Sequence, residues 1–315
     1  MVVNPSDYKP YLIKVDTTRG CNMRCGFCGI RSIPEEIKHM TVNTAIQTAK
    51  AISVFDPVRI EIGIRGEPTL NPDIFKIVAV LRKYNPQSYI LVATNGVKLT
   101  ADWVKNYFSA GGNVVFVDTY GKTYNKLFSK LREFNPVDYY EDDFNPYHKH
   151  PPGIKKVVLV RDISEMDGVK RTRIVFNLAG NVNWEIAKEY GLEPLKEPVN
   201  KRCTYPFRQI DVGWDGGIQI CCVDWRQETT IWHVKYGQLK EYWRNNHYLN
   251  MARYLLFHKN RDFAICRRCD FYGGHRHGLI RDMGEYNEET ANQFIHEWDE
   301  LHKKNLEAKP WLKKH

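Results

Sequence analysis

Short β-branched runs alternate with stretches of helical period over the first two-thirds of the chain. Residues 12–16, 58–64, 89–93, 113–117, 156–160 and 173–176 are brief, apolar and bounded by polar or turn-forming positions, which predicts about six strands. Between them, residues 42–54, 74–84 and 101–109 space their apolar side chains three and four apart, which predicts amphipathic helices. Thr41 or Asn43 is placed to cap the first helix, and Asn71-Pro72-Asp73 is a start signal for the second. Strands alternating with helices imply an α/β fold with a parallel sheet and right-handed crossovers. Active sites of such sheets lie beyond the carboxyl ends of the strands. Cys21 follows the first strand, Gly66-Glu67-Pro68 the second, Thr94-Asn95-Gly96 the third, and Asp118 and Tyr120 the fourth.

A break in the pattern falls at residues 189–200, which contain Gly191, Pro194 and Pro198. The expected organisation is a core domain over 1–190, a second domain over 200–285 and a helical tail over 286–315. Trp298 and Leu301 are expected to dock that charged tail only weakly, with no chemistry there. Residues 135–152 form an aromatic, proline-bearing insertion that reads equally as a lid or as a surface loop.

With 315 residues, 43% of them hydrophobic, the chain can bury a substantial core. It has no apolar run near the roughly 20 residues that span a bilayer. The first residues are polar and carry Pro5 and Pro10, unlike a secretory signal. A soluble cytoplasmic protein is the expectation. The net charge of +9 comes from dispersed Lys and Arg, with no dense basic run and no aromatic RNA-binding signature. That argues against nucleic acid as a partner and leaves a solvated surface or an anionic substrate.

Eight cysteines change the picture. They fall at 21, 25 and 28, and then at 203, 221, 222, 266 and 269. In a cytosolic chain such clusters read as metal ligands rather than disulfides. The first group has the spacing C-x3-C-x2-C, within Arg19-Gly20-Cys21-Asn22-Met23-Arg24-Cys25-Gly26-Phe27-Cys28. Three thiolates on one short loop can hold three irons of a [4Fe–4S] cube and leave the fourth iron open. A zinc knuckle would need a fourth Cys or His close by.

This loop, with an aromatic before its last cysteine, resembles the cluster-binding loop of the radical S-adenosylmethionine superfamily. The resemblance implies a partial (β/α)6 TIM-like barrel in which Cys21, Cys25 and Cys28 hold the cluster. The open iron would chelate S-adenosylmethionine, whose reductive cleavage yields a 5′-deoxyadenosyl radical that abstracts hydrogen from a substrate. Phe27 would lie near the adenine. Ile64-Arg65-Gly66-Glu67-Pro68 resembles the family's Gly-Gly-Glu-Pro motif, with Arg65 departing from the first glycine. Glu67 would receive the methionyl ammonium. Thr94-Asn95-Gly96 resembles the family's Thr-Asn-Gly. Cofactor contacts are thus expected at Phe27, Gly66, Glu67, Pro68, Thr94 and Asn95. Asp118 and Tyr120 are the candidates for ribose contact or acid–base work, or simply end their strand. The resemblance spans about residues 10–180 and implies a flavodoxin- or ferredoxin-type electron donor.

The second cysteine group resembles the auxiliary-cluster extension called SPASM, or its shorter form, twitch. The family's G-x4-C falls on Gly216 and Cys221 and its C-x2-C on Cys266 and Cys269. No cysteine follows Cys269, so one auxiliary [4Fe–4S] cluster is expected, and two clusters in all. Gly217 and Cys222 fit G-x4-C as well. Adjacent residues of a strand point to opposite faces, so only one of the pair should reach the cluster. The family's glycine usually follows an Asp, and Asp215-Gly216 therefore favours Cys221. Cys203, Cys221, Cys266 and Cys269 would close the site and suit it to electron transfer. Four thiolates would equally satisfy structural zinc. Gly273-Gly274-His275-Arg276-His277 reads as a solvated loop. Enzymes of this layout act on sugars or aminocyclitols and on ribosomally made peptides. No separate peptide-recognition domain is legible, which favours a small polar molecule. A peptide maturase is the alternative within the class, and a non-catalytic zinc- or cluster-binding module the alternative outside it.

Overall fold

The computed structural model of the chain describes residues 9–119, 123–138, 153–160, 177–188, 193–271 and 283–309. Its strands are β1 (Leu12–Val15), β2 (Thr18–Arg19), β3 (Lys38–His39), β4 (Arg59–Ile62), β5 (Tyr89–Thr94), β6 (Val114–Asp118), β7 (Val137–Asp138), β8 (Lys156–Val160), β9 (Gln209–Val212), β10 (Gly217–Gln219) and β11 (Trp232–His233). Helices α1 (Val42–Ser53), α2 (Ile74–Tyr84) and α3 (Ala101–Ser109) lie between the core strands, where their periodicity places them. Thr41 is the cap of α1, its hydroxyl accepting from the Thr44 amide at 3.1 Å. The Asn71 side chain accepts from the Asp73 amide at 2.9 Å and turns the chain into α2.

Nine strands form one sheet in the order β11-β10-β9-β1-β4-β5-β6-β8-β7. From β9 to β7 every pairing is parallel, as the alternation predicts. The sheet is larger than expected, because β9 pairs in parallel with β1, with Leu12 opposite Gln209 and Val15 opposite Val212. β10 and β11 then extend it antiparallel. The strand expected at 173–176 lies outside the described residues. At that edge β7 pairs with β8, so the 135–152 insertion begins with an edge strand.

One face of the sheet carries Ile13, Val15, Ile60, Ile62, Ile90, Val92, Ile210 and Val212, all buried against α1, α2 and α3. Side chains alternate across a strand, so Lys14, Glu61, Leu91 and Phe116 belong to the other face. There the two halves differ. Across β5, β6 and β8 the face is apolar, built on Leu91, Val114 and Val158. Across β4 and β1, Glu61 pairs with Arg59 and, at 3.6 Å, with Lys14.

The later helices are α4 (Tyr124–Lys130), α5 (Trp184–Ala187), α6 (Tyr205–Arg208), α7 (Leu239–Asn245), α8 (His247–Phe257) and α9 (Glu288–Glu307). Among the described residues no helix is long and apolar enough to cross a membrane. The expectation of a weakly docked tail is corrected by α9. Trp298 is 0% exposed, its indole N–H donates to the Tyr248 carbonyl at 3.1 Å, and its ring meets Tyr248 and Phe263. A fully buried Trp anchors a helix through area rather than charge. Trp298→Ala is therefore expected to destabilise the protein by about 3–5 kcal/mol. A shift in the urea midpoint worth under about 1 kcal/mol would contradict that packing.

Candidate active site and auxiliary thiol site

The carboxyl ends of β1, β4, β5 and β6 meet around a cavity of about 270 Å³. Its lining includes Cys21, Cys25 and Cys28 together with Phe27, Gly66, Glu67, Thr94, Asn95 and Asp118. Nearly all the residues singled out from sequence thus converge. Pro68 instead sits buried at the start of a short helical turn (Pro68–Leu70). Tyr120 and residues 273–277 lie outside the described residues.

Local chemistry explains the geometry. The Glu67 amide donates to the Gly20 carbonyl at 3.0 Å, and this bridge sets the β4 end against the cysteine loop. A Cβ on Gly66 would stand 2.1 Å from the Thr18 carbonyl oxygen, so the approach requires glycine. The buried Glu67 carboxylate accepts from the Thr69 amide (3.0 Å), the Thr69 hydroxyl (2.6 Å) and the Thr94 hydroxyl (2.7 Å) through Oε1. Its Oε2 accepts from the Asn95 amide at 2.8 Å. Glu67 therefore ties the β4 end to the β5 end. The Asn95 side chain reaches the cysteine loop, donating to Cys21 Sγ at 3.4 Å and to Asn22 Oδ1 at 2.9 Å. Burial pushes the Cys21 thiol pKa up and the Glu67 charge adds to it, opposed by hydrogen bonds from Met23 and Asn95.

Sequence reasoning missed the apolar wall. Met23, Ile30, Leu178 and Trp225 also line the cavity. Trp225 comes from the turn after Cys221 and Cys222 and packs with Ile30, Ile33, Cys21 and Cys28. A Cβ on Gly29 would lie 2.4 Å from the Trp225 indole, so glycine beside Cys28 was the available signal.

Arg65, the departure from the family glycine, is buried. Its Nε pairs with Asp16, Nη1 donates to the Asp224 carbonyl at 2.8 Å, and Nη2 donates to Gln219 Oε1 at 2.8 Å. One guanidinium thus joins the ends of β1 and β4 to the segment that carries Cys221 and Trp225.

A second cavity is lined by Cys203, Cys221, Cys266 and Cys269, the four ligands expected from sequence, and by Arg261. Cys222 is not among its lining residues. β10 ends at Gln219 and the cysteine pair stands in a turn, so the alternation of faces along a strand is not what separates Cys221 from Cys222. The two thiols interact with each other, and Cys222 turns to Lys14 and Gln209. Burial pushes the Cys203 and Cys266 thiols up and Cys269 up to about 12, while the Arg261 charge pulls the other way. Arg261 is 2% exposed and gives its hydrogen bonds to the Lys201, Phe271 and Arg202 carbonyls. Among the described residues its charge also acts on the half-buried Asp270 carboxylate. A buried cation beside four thiols fits an anionic thiolate-ligated cluster, which would both neutralise it and displace the thiol protons.

Comparison with known proteins agrees with this arrangement. The radical SAM superfamily model matches residues 15–142, and the SPASM iron–sulfur cluster-binding domain model matches residues 203–270. The human molybdenum cofactor biosynthesis protein 1 is 31% identical over 93 residues, 28% of this chain and 14% of its own length. The GTP 3′,8-cyclase of Haemophilus influenzae (strain 86-028NP) is 27% identical over 140 residues, 44% of this chain and 41% of its own. The chain thus spans less than half the length of these curated relatives. Among solved structures, BtrN in complex with AdoMet and 2-DOIA superimposes with a TM-score of 0.62 at 19% identity, covering 83% of this chain and 93% of that one. An open form of BtrN gives 0.55 at 17% identity, with 83% and 92% covered. Residues 15–142 thus belong to the radical SAM superfamily and residues 203–270 to the SPASM iron–sulfur cluster-binding family, which makes S-adenosylmethionine and [4Fe–4S] clusters the cofactors of this chain.

Proposed function

We propose that the enzyme abstracts a hydrogen atom from a small polar molecule, of sugar or aminocyclitol type, and oxidises or epimerises it. The observation that carries the reading is the convergence of Cys21, Cys25, Cys28, Glu67, Asn95 and Asp118 on one cavity. When bound, the cluster and S-adenosylmethionine supply a one-electron cleavage whose 5′-deoxyadenosyl radical removes the hydrogen. The chain supplies position and a dry wall. Cys21, Cys25 and Cys28 are the three ligands of the first cluster. Glu67 Oε2, with a single donor among the described residues, keeps a lone pair for the methionyl ammonium. Phe27 offers its ring to the adenine. Asp118 is the ionisable group on the opposite strand end and is assigned to substrate. The likeness in fold covers nearly the whole of BtrN, whose structure was solved with AdoMet and 2-DOIA. Cys203, Cys221, Cys266 and Cys269 would hold a second cluster, which would supply a one-electron acceptor. A flavodoxin- or ferredoxin-type protein would supply the first electron.

The test is anaerobic turnover with deuterated aminocyclitols and sugars, read as deuterium in 5′-deoxyadenosine. Transfer from such a molecule supports the reading, and transfer only from a peptide overturns it. Glu67→Gln examines the cofactor contact. Glutamine removes the charge that attracts the ammonium, and in either orientation its NH2 faces a main-chain amide, that of Asn95 or that of Thr69. S-adenosylmethionine affinity is expected to fall by roughly ten- to a hundredfold, since charged hydrogen bonds contribute about 1.5–3 kcal/mol. Both clusters should remain, and an unchanged affinity would show that the motif match is accidental.

A further inference from the structure

We propose that Arg65 is a positioning residue that holds Trp225 as one wall of the cofactor cavity, so that the radical site is completed by the auxiliary segment. This rests on reading the first cavity as the S-adenosylmethionine site. Trp225 is buried against the cysteine loop, yet it hangs from residues 220–231, a stretch without helix or strand. Such a stretch needs anchors to present a side chain reproducibly. The Asp224 carboxylate closes the turn on itself, accepting from the Glu228 amide at 2.8 Å and the Thr229 amide at 2.7 Å. The far end of the turn is held by Asn305 on the Glu228 and Thr230 carbonyls at 2.9 and 3.1 Å, and Asn181 reaches the Val223 carbonyl at 3.3 Å; neither touches the peptide that carries Trp225. The Asp224 carbonyl, one peptide from Trp225, is taken by Arg65 at 2.8 Å. Arg65 is itself immobilised by Asp16, whose Oδ1 also accepts from the Arg65 amide at 3.0 Å. Gln219, at the end of β10, receives the third arm.

A planar fork carries its donors on three separate nitrogens in fixed directions, whereas a lysine gathers its three donors on one nitrogen that cannot reach all three partners. A glycine here would leave Asp16 buried without its partner and the Asp224 carbonyl without its donor. Arg65 is not among the residues that line the cavity and acts through Trp225.

The experiment uses reconstituted enzyme carrying both clusters, with S-adenosylmethionine as the probe. Arg65→Lys and Trp225→Ala are each expected to weaken binding about tenfold, the effect of one lost contact of about 1.4 kcal/mol. The double variant should bind no worse than Trp225→Ala, because Arg65 works only through that side chain. Hydrogen exchange over residues 220–231 should rise in Arg65→Lys, while iron content stays unchanged. A purely structural role for Arg65 would instead give additive losses and exchange raised across the sheet, and either result would overturn the proposal. Asp16→Asn keeps an acceptor for the Ile64 and Arg65 amides and removes the charge that orients the guanidinium, and it should raise exchange in the same segment even if Arg65→Lys fails to fold. Unchanged exchange in Asp16→Asn would then sink the clamp. If Glu67→Gln weakens binding and Trp225→Ala does not, the clamp alone fails. If neither weakens it, the cavity is not the cofactor site.

Discussion

Replacing Cys21, Cys25 and Cys28 together by alanine is expected to abolish reductive cleavage of S-adenosylmethionine and to remove about four of about eight irons. The three thiols face one cavity, on a loop held by the Gly20–Glu67 bridge and by Asn95. The variant loses the contacts of Asn95 and the Met23 amide to Cys21 Sγ, but Asn95 keeps Asn22 and the Gly20–Glu67 bridge is main chain, so the fold and the second cluster should survive. The loss of cleavage should be complete within detection, because without a reductant at the sulfonium the other contacts bind a cofactor that cannot react. Iron and acid-labile sulfide are measured together with 5′-deoxyadenosine formation. Cleavage retained in the triple variant would remove the basis for the proposed chemistry, and zinc without sulfide in the wild type would return the second site to a structural role.

Cys221→Ala should lose the second cluster and keep the first, whereas Cys222→Ala should keep both. Cys221 shares a cavity with Cys203, Cys266 and Cys269, while Cys222 turns towards Lys14 and Gln209 beneath β1 and β9. The cost of Cys222→Ala is then a disturbed polar cluster, about 1–2 kcal/mol, with iron unchanged. Uncoupled cleavage to 5′-deoxyadenosine should persist in Cys221→Ala, since Arg65 holds Asp224 and Trp225 independently of the cluster. Substrate turnover should fall if the second cluster takes up the electron. The reverse pattern of iron loss would exchange the roles of the two cysteines.

Much of this was legible in the chain, and the parts that were not share a cause. The helices over α1, α2 and α3 carry their signal locally, in the spacing of apolar residues and in caps such as Thr41. The cavity followed from motifs placed at successive strand ends. Trp225 was not legible, because its place depends on a guanidinium 160 positions earlier in the chain, at Arg65, rather than on any local pattern. The turn at Cys221 and Cys222 was hidden in the same way. An apolar run, Ile218 to Cys222 in part, reads as a strand until the Asp224 carboxylate is seen to gather the Glu228 and Thr229 amides. Pairing of β9 with β1 joins segments about 200 residues apart, a choice of neighbour that no periodicity encodes.

That last pairing bears on how such an enzyme can be rebuilt. β1 sits in the interior of the sheet only because β9 takes its outer edge, with the Tyr11 amide on the Arg208 carbonyl and the Asp16 amide on the Val212 carbonyl. A version cut before Gln209 would lay bare an apolar strand edge directly beneath the cysteine loop, an invitation to self-association. Recombination between relatives would therefore have to exchange the segment from β9 onward as a unit that brings its own mate for β1. The seam of this protein is a row of main-chain hydrogen bonds between β1 and β9, which any division of the chain before Gln209 has to restore.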